Sequence, residues 1–457
     1  MMGGLVAHPS YPLPHPLNEA FLQYVWQHRL LRGDLHTTDG QPVHVERAGD
    51  LNTDAGPDFL NARLRIGTLR WAGNVEIHVK SSDWNAHGHS SDKSYNNVAL
   101  HVVYEHDSNI VLENGITAPT LEVKEHLPME VWDSYQQMMA APQASAVACL
   151  PRLHQVPRFL FDGFLDRLAA ERVERKANDV RSLVEESKGS WETACYWLVA
   201  HYFGGKTNGF AFEMLAKQTP MRILAKIRDN AFRVESLLMG QAGLLEASFH
   251  DEYPQRLRRE YAYLRQAYSL SPMAGHLWRF FRLRPASFPT LRISQFANLV
   301  CKSSALFSHL LETTNVEELR HLFDVSASDY WVSHYHFDQP AEPCDKPTGR
   351  HFADMLLINS WAPLLFEYGV EHGSQTLKDR AIDLLRQLPP ESNRVTREWG
   401  RDHRPQNAAQ SQALLQLFNE HCAKQSCLRC AIGYQVLKTT SAPKPNETDQ
   451  DTCKPTR

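Results

Sequence analysis

Gly56-Pro57-Asp58-Phe59, followed by Gly73-Asn74-Val75-Glu76-Ile77-His78-Val79-Lys80, is the stretch that decides how this 457-residue chain is read. Alternation over the second segment puts Val75, Ile77 and Val79 on one face of a strand and Glu76, His78 and Lys80 on the other. Pro57 restricts its predecessor to an extended or turn conformation, so Asp58 stands at a turn. Two acids and a polar third group, carried at a turn and on the next strand, are what metal-dependent phosphodiester cleavage requires. Carboxylate oxygens suit Mg2+ or Mn2+ and leave coordination positions for water and phosphate, while His78, or Lys80 in its place, orients water or offsets charge. The plainer alternative is that Asp58 caps a turn and the three polar groups form a solvated strand face.

Working outward, Phe21, Leu22, Val25 and Trp26 share one stripe of residues 18–30, which predicts an amphipathic helix. Glu19, near its start, becomes a further metal ligand if that helix crosses behind the sheet. Short strands are expected at 43–46, 62–66, 75–80, 98–104 and 120–124, with residues 67–70 connecting two of them and a hairpin turn at 112–116. Together these predict an α+β domain over 1–140.

Residues 81–92 read as a polar loop carrying Asp83, His87, His89 and Asp92, and His101 lies inside the following strand. With His78 these imidazoles offer a general acid or base near neutral pH, or nitrogen ligands for a transition metal. A second reading gathers His87, His89 and His101 around iron or zinc in a cupin-like jelly roll. Residues 60–125 hold too few strands to favour it.

Long helical patterns at 166–185, 191–203, 210–217 and 219–239 predict a helical domain over 150–325, followed by a mainly helical region over 326–437 and a disordered tail over 438–457. Within it, Trp278-Arg279-Phe280-Phe281-Arg282-Leu283-Arg284-Pro285, with Arg292 beyond, mixes guanidinium groups for phosphates with aromatic faces for unstacked bases. Arg stems packed along helices would give the same composition. Gly204-Gly205-Lys206-Thr207 lacks the upstream glycine of a P-loop. Cys422-x4-Cys427-x2-Cys430 places three thiols where one zinc ion or iron-sulfur cluster can take them, with Cys149 as the preferred fourth ligand and His421 or Cys453 as alternatives.

Net charge is −4, from 48 basic and 52 acidic residues, so any nucleic-acid footprint has to be local. The first residues lack a basic segment and a sustained apolar run, and no apolar stretch approaches bilayer length, which predicts a cytoplasmic protein without a membrane partner.

Those motifs carry two resemblances. Most of the chain resembles a family of uncharacterised bacterial proteins common in the Bacteroidota, through Gly56-Pro57-Asp58-Phe59, Gly73-Asn74-Val75-Glu76-Ile77-His78, Ser82-Asp83-Trp84, His87-x-His89, Leu100-His101-Val102-Val103, Phe288-Pro289-Thr290-x-Arg292-Ile293 and the terminal cysteines. More remotely, the first domain resembles the restriction-endonuclease-like fold, in which an acid follows a Pro before one core strand and an acid-x-Lys element lies on the next. Pro57-Asp58 matches the first part, and Glu76-Ile77-His78 the second with His for Lys; histidine-rich mismatch-repair endonucleases are similar in kind. Glu122-Val123-Lys124 copies the acid-x-Lys spelling after the fourth strand. An upstream Cys with three near the C-terminus is similar in spacing to the iron-sulfur staple of RecB-type exonucleases, although there the first Cys precedes the catalytic domain. The resemblance implies a metal-dependent nuclease acting on DNA, or on RNA, or a nucleic-acid-binding scaffold that has lost turnover.

Overall fold

The computed structural model describes residues 17–140, 146–400 and 403–439. The expected tail from 440 onward, Cys453, the N-terminal sixteen residues and residues 141–145, between the first two expected domains, lie outside the described residues. The fold is α+β, with an N-terminal sheet and a mainly helical remainder. It divides into two compact units, Met1–Phe161 with Asn419–Arg457, and Asp162–Phe418. The division differs from the expected order of domains because the C-terminal helix Ala431–Thr439 packs on the segment Leu150–Gln155 and on the helix Met129–Ala140, both in the first unit.

The first unit opens with α1 (Glu19–Gln27), whose N-terminus is capped by the Asn18 side chain accepting from the Phe21 N–H at 3.0 Å. Phe21, Leu22, Val25 and Trp26 are buried as their spacing predicts. The Trp26 indole satisfies its N–H on the Ala48 carbonyl at 3.0 Å. α1 packs against the strand that carries Glu76.

A single mixed sheet follows, made of β1 (Leu35–His36), β2 (Pro42–Arg47), β3 (Asp50–Leu51), β4 (Phe59–Ile66), β5 (Leu69–Lys80), β6 (Val98–Glu105) and β7 (Thr120–Glu122). Its order is β1-β2-β4-β5-β6-β7, with β3 on β4. The pairs up to β4-β5 are antiparallel, and β5-β6 and β6-β7 are parallel. One open sheet with parallel pairs leaves no second sheet with which to close a cupin-like jelly roll; among the described residues the other sheet is a two-stranded pairing in the second unit. That alternative is set aside.

Two features of β5 escape the sequence pattern. It begins at Leu69, because Gly67, at φ +60°, and Thr68 alone turn the chain from Ile66 to its partner Leu69. The added residues Leu69–Ala72 are exposed, so their strand rests on ladder hydrogen bonds and leaves no alternation of polarity to read. β5 also runs parallel to β6, and a parallel pair needs a crossover. The expected loop is therefore ordered, with α2 (Asp83–Ala86) and two 3-10 turns. Trp84 anchors it, fully buried with Tyr95, Val98, Ile110, Leu112 and Ala118.

The second unit is helical, and residues 219–239 form two helices, Met221–Ile227 and Ala231–Gln241, because Asn230 caps the second through its side chain. Buried Glu235 accepts from the Trp331 indole at 2.7 Å and from Ser294 at 2.9 Å. No helix among the described residues is long and apolar enough to cross a membrane.

Gly73 sits where β5 meets the start of β6, and a Cβ there would lie 2.7 Å from the Asn97 carbonyl oxygen and 2.9 Å from Ala99 Cβ. Neither neighbour is a flexible side-chain end. Gly73→Val should cost about 1–3 kcal/mol of overpacking and lower the thermal unfolding midpoint of the first unit; an unchanged midpoint in calorimetry would contradict this packing.

Candidate metal centre

Asp58 follows a turn braced by Asn52, whose side chain donates to the Pro57 carbonyl at 3.1 Å and accepts from the Asp54 N–H at 3.0 Å. Glu76 lies on the neighbouring strand. Each acid is held by the other's segment: the Asp58 N–H donates to Glu76 Oε2 at 3.0 Å, and the Ile77 N–H donates to Asp58 Oδ2 at 3.0 Å. The remaining Asp58 oxygen accepts from Gln23 Nε2 at 2.8 Å, and Gln23 Oε1 in turn accepts from Arg429 at 3.1 Å. The two carboxyls thus share one buried region, with Glu19 near enough to repel Glu76.

Imidazoles close the other side. Glu76 Oε1 lies 3.3 Å from His89 Nε2 and 3.6 Å from His78 Nε2. His78 Nε2 lies 3.1 Å from His87 Nδ1, and its other nitrogen lies 2.8 Å from His101 Nε2. His78 shares the Glu76 face of β5, His101 pairs with Glu76 across β5-β6, and the crossover brings in His87 and His89. His89 stacks on Tyr95 at 3.9 Å between ring centres. One nitrogen from each of His78, His87 and His89 lies within 4.8 Å of the others, close enough for one metal ion.

Burial dominates the electrostatics. It raises Glu76 to about 8, helped by the Asp58 and Glu19 charges and opposed by the Asp58 N–H. Asp58 is raised by burial against the hydrogen bonds of Gln23 and Ile77 and the charge of Arg429. Glu19 is raised by burial, with His87 opposing and Asp58 and Asp83 adding. Burial lowers His78 to about 3, with His87 and His89 adding, and pushes His101 and His89 down as well. Near neutral pH burial therefore favours the protonated form of Glu76 beside an uncharged His78.

His101 Nδ1 is buried without a hydrogen-bond partner among the described residues, and a bare acceptor there costs less than a stranded N–H. That places the proton of His101 on Nε2, donating to His78 Nδ1, and the proton of His78 on Nε2, facing His87 and Glu76. Without metal, His78 acts as a donor into the site.

The structure gathers Glu19, Asp58, Glu76, His78, His87, His89 and His101. Lys80 ends β5 exposed, its own N–H donating to Asp83 Oδ2 at 3.0 Å, so His78 is the third group beside the acids. Asp83 holds the start of the crossover in the same way. Cys149, Cys422, Cys427 and Cys430 all fall in the first unit. Arg279, Arg282 and Arg284 are exposed in the second unit, beside Phe281 at 81 % exposure. Arg292 instead lies over the Phe352 ring at 3.9 Å and donates to Gln295 at 2.9 Å, with burial lowering it to about 10. Sequence reasoning missed Gln23 and Arg429. Gln23 was within reach, one helical turn from Glu19 on the same face; nothing in the local pattern marked Arg429.

A model for proteins of unknown function, DUF2851, matches residues 19–394. The chain belongs to the DUF2851 family. The matched span holds both acids, Glu19 and all four imidazoles, and ends before Cys422. No curated protein and no solved structure matches this DUF2851 chain.

The buried acid and imidazoles make stability depend on pH. Glu76, raised from 4.5 to about 8, stabilises fully below pH 4.5 and loses that contribution as pH rises through 8. His78, lowered from 6.5 to about 3, stabilises above pH 6.5 and loses its contribution as pH falls through 3. The two oppose each other between 4.5 and 6.5, which leaves an unopposed loss between 6.5 and 8. In metal-free protein the unfolding temperature should fall across that last window, and Glu76→Gln should flatten the fall. An equally steep fall in the variant would show that Glu76 is not its source.

Proposed function

We propose that this DUF2851 protein is a metal-dependent phosphodiester hydrolase of restriction-endonuclease-like type, acting on DNA first and RNA second. The observation that carries the reading is the reciprocal bracing of Asp58 and Glu76 by each other's backbone, beside three convergent imidazoles. The acid after Pro57 precedes β4, and Glu76-Ile77-His78 lies on the adjacent β5, which is the placement that the resemblance calls for.

Asp58 and Glu76 would hold Mg2+ or Mn2+, with Glu19 reaching the same region. A bound cation would pair with the ionised carboxylate and so favour loss of the Glu76 proton. His78 donates a hydrogen bond into the site, and His87, the exposed member of the group, takes the proton of the attacking water. Water would attack phosphorus as the bond to the leaving sugar oxygen breaks, and that oxygen would take a proton from solvent; a cation held by Asp58 and Glu76 would offset the charge that develops. His89, 3.3 Å from Glu76, could add an imidazole ligand beside the carboxylates, which would favour manganese over magnesium. The exposed Arg279, Arg282 and Arg284 supply a phosphate-binding surface of the same chain.

A second reading, a nucleic-acid-binding scaffold without turnover, draws on one observation. His78 occupies the position of a Lys and is uncharged near neutral pH, so the site lacks that cation.

Cleavage of single-stranded, nicked and branched DNA, and of RNA, separates the two. Activity should need a divalent metal, be faster with Mn2+ than with Mg2+, vanish in Asp58→Asn with the circular dichroism spectrum intact, and fall roughly 10²-fold in His87→Ala. Binding without turnover in any divalent metal would establish the scaffold instead. Arg282→Ala with Arg284→Ala should weaken DNA binding at low salt and reduce its salt dependence, whereas Arg292→Ala should act through packing and lower the unfolding temperature.

A further inference from the structure

The C-terminal cysteines form a second cluster, outside the acid and imidazole group. Cys149 precedes the 3-10 segment Leu150–Gln155, and Cys427 and Cys430 flank a 3-10 turn in which the Cys430 N–H donates to the Cys427 carbonyl at 3.2 Å. Cys422 ends the preceding turn, its carbonyl accepting from the Gln425 N–H at 3.0 Å. The helix Ala431–Thr439 packs on both the Cys427 turn and the Cys149 segment. It does so closely: a Cβ at Gly433 would stand 2.1 Å from the Cys427 carbonyl oxygen. Cys149 and Cys430 are each 7 % exposed.

Thiols so far apart in sequence sense one another. Cys149 lies within electrostatic reach of Cys430 and Cys427, and Cys427 within reach of Cys430, so the packing brings these three thiols into one buried neighbourhood. Buried thiols of this kind are inert as nucleophiles. A soft metal ion, by contrast, displaces their protons and turns the same crowding into ligation.

We propose that Cys149, Cys427 and Cys430, completed by Cys422, hold a thiophilic metal centre, zinc or an iron-sulfur cluster. A Cys-x2-Cys turn delivers two sulfurs from one tight bend, Cys422 adds a third from just upstream, and Cys149 a fourth from the other end of the unit. The centre clips the C-terminal segment to the N-terminal part of its unit. It also fixes Arg429, which lies between Cys427 and Cys430 and donates to Gln23, the residue that donates to Asp58. Arg429 is thereby a positioning residue for the acids. The centre itself does not depend on the hydrolase reading.

The test uses the full chain carrying His87→Ala and His89→Ala, so that an ion in the imidazole group is not counted, purified anaerobically without a metal-affinity step. Elemental analysis should find about one zinc per chain, or several irons with broad visible absorbance, and these two arms tell the alternatives apart. Cys427→Ser in that background should lose most of the metal. Because that variant can fail to fold, the parent protein is also titrated with a thiol reagent before and after chelation, and chelation should expose the buried thiols. A chain with neither zinc nor iron, metal undiminished in folded Cys427→Ser, or thiol reactivity indifferent to chelation would each overturn the proposal. Hydrolase activity enters none of these readouts, so the centre and the phosphodiesterase reading fail separately.

Discussion

The site depends on one exchange of hydrogen bonds. The Asp58 N–H is given to Glu76 and the Ile77 N–H to Asp58, so the turn before β4 and the middle of β5 cannot separate without stranding two carboxyl groups inside the protein. Bringing two acids together in a buried place is unfavourable by itself, through both desolvation and repulsion. Backbone donors offset part of that cost, and protonation of Glu76 offsets more. The arrangement is therefore tense in a specific sense: its least costly charged state is one with a cation present. Structural ion pairs do not look like this, since they carry their own positive partner, as Arg320 and Asp354 do in the second unit at 2.6 Å.

The imidazoles extend the same logic. His78 and His89 lie beside the Glu76 carboxyl, His87 and His101 lie against His78, and burial lowers His78, His89 and His101. Their protons are set by neighbours: the partnerless His101 Nδ1 favours the tautomer in which donors run from His101 through His78 toward the acids. Ligation of a metal by His78 Nε2 would reverse that chain and leave a buried N–H on His101 unpaired, at about 1–3 kcal/mol. His87 and His89 carry no such penalty. Under the proposed reading this asymmetry would make oxygen the primary ligand type and His78 a donor to water or phosphate, at the position where the resemblance has a Lys.

Much of this was legible in the sequence because it follows from short periodicities. Alternation placed Glu76 and His78 on one face of β5, Pro57 marked the turn at Asp58, and the stripe of Phe21, Leu22, Val25 and Trp26 gave α1. What the sequence hid is what depends on contacts between distant segments. The crossover looked like a polar loop because only Ser81, Trp84 and Tyr95 among its residues are buried, too few to form a pattern, although a parallel β5-β6 pair requires an ordered crossing. Arg292 reads like its neighbours Arg279, Arg282 and Arg284, and only the Phe352 ring above it assigns it to packing. The grouping of the C-terminal segment with the sheet was hidden for the same reason, since no local pattern records which surface a short helix covers.

Arg429 shows how such a distant contact can matter to chemistry. Its guanidinium is held by Gln23 Oε1, which orients the Gln23 amide so that its N–H meets Asp58. An amide can present either end, and a partner on the carbonyl side fixes which one faces the acid. Arg429 thus determines that Asp58 meets a donor, which favours its ionised form against burial. A carboxyl that must be ready to accept a cation, while its neighbour Glu76 stays protonated, needs such a bias. The unequal treatment of the two acids follows from it: Asp58 has Gln23, Ile77 and the Arg429 charge, whereas Glu76 has one backbone donor and lies beside the His78 and His89 rings. Under the proposed metal-dependent reading, the first acid would meet a metal ion and the second would give up a proton to keep it.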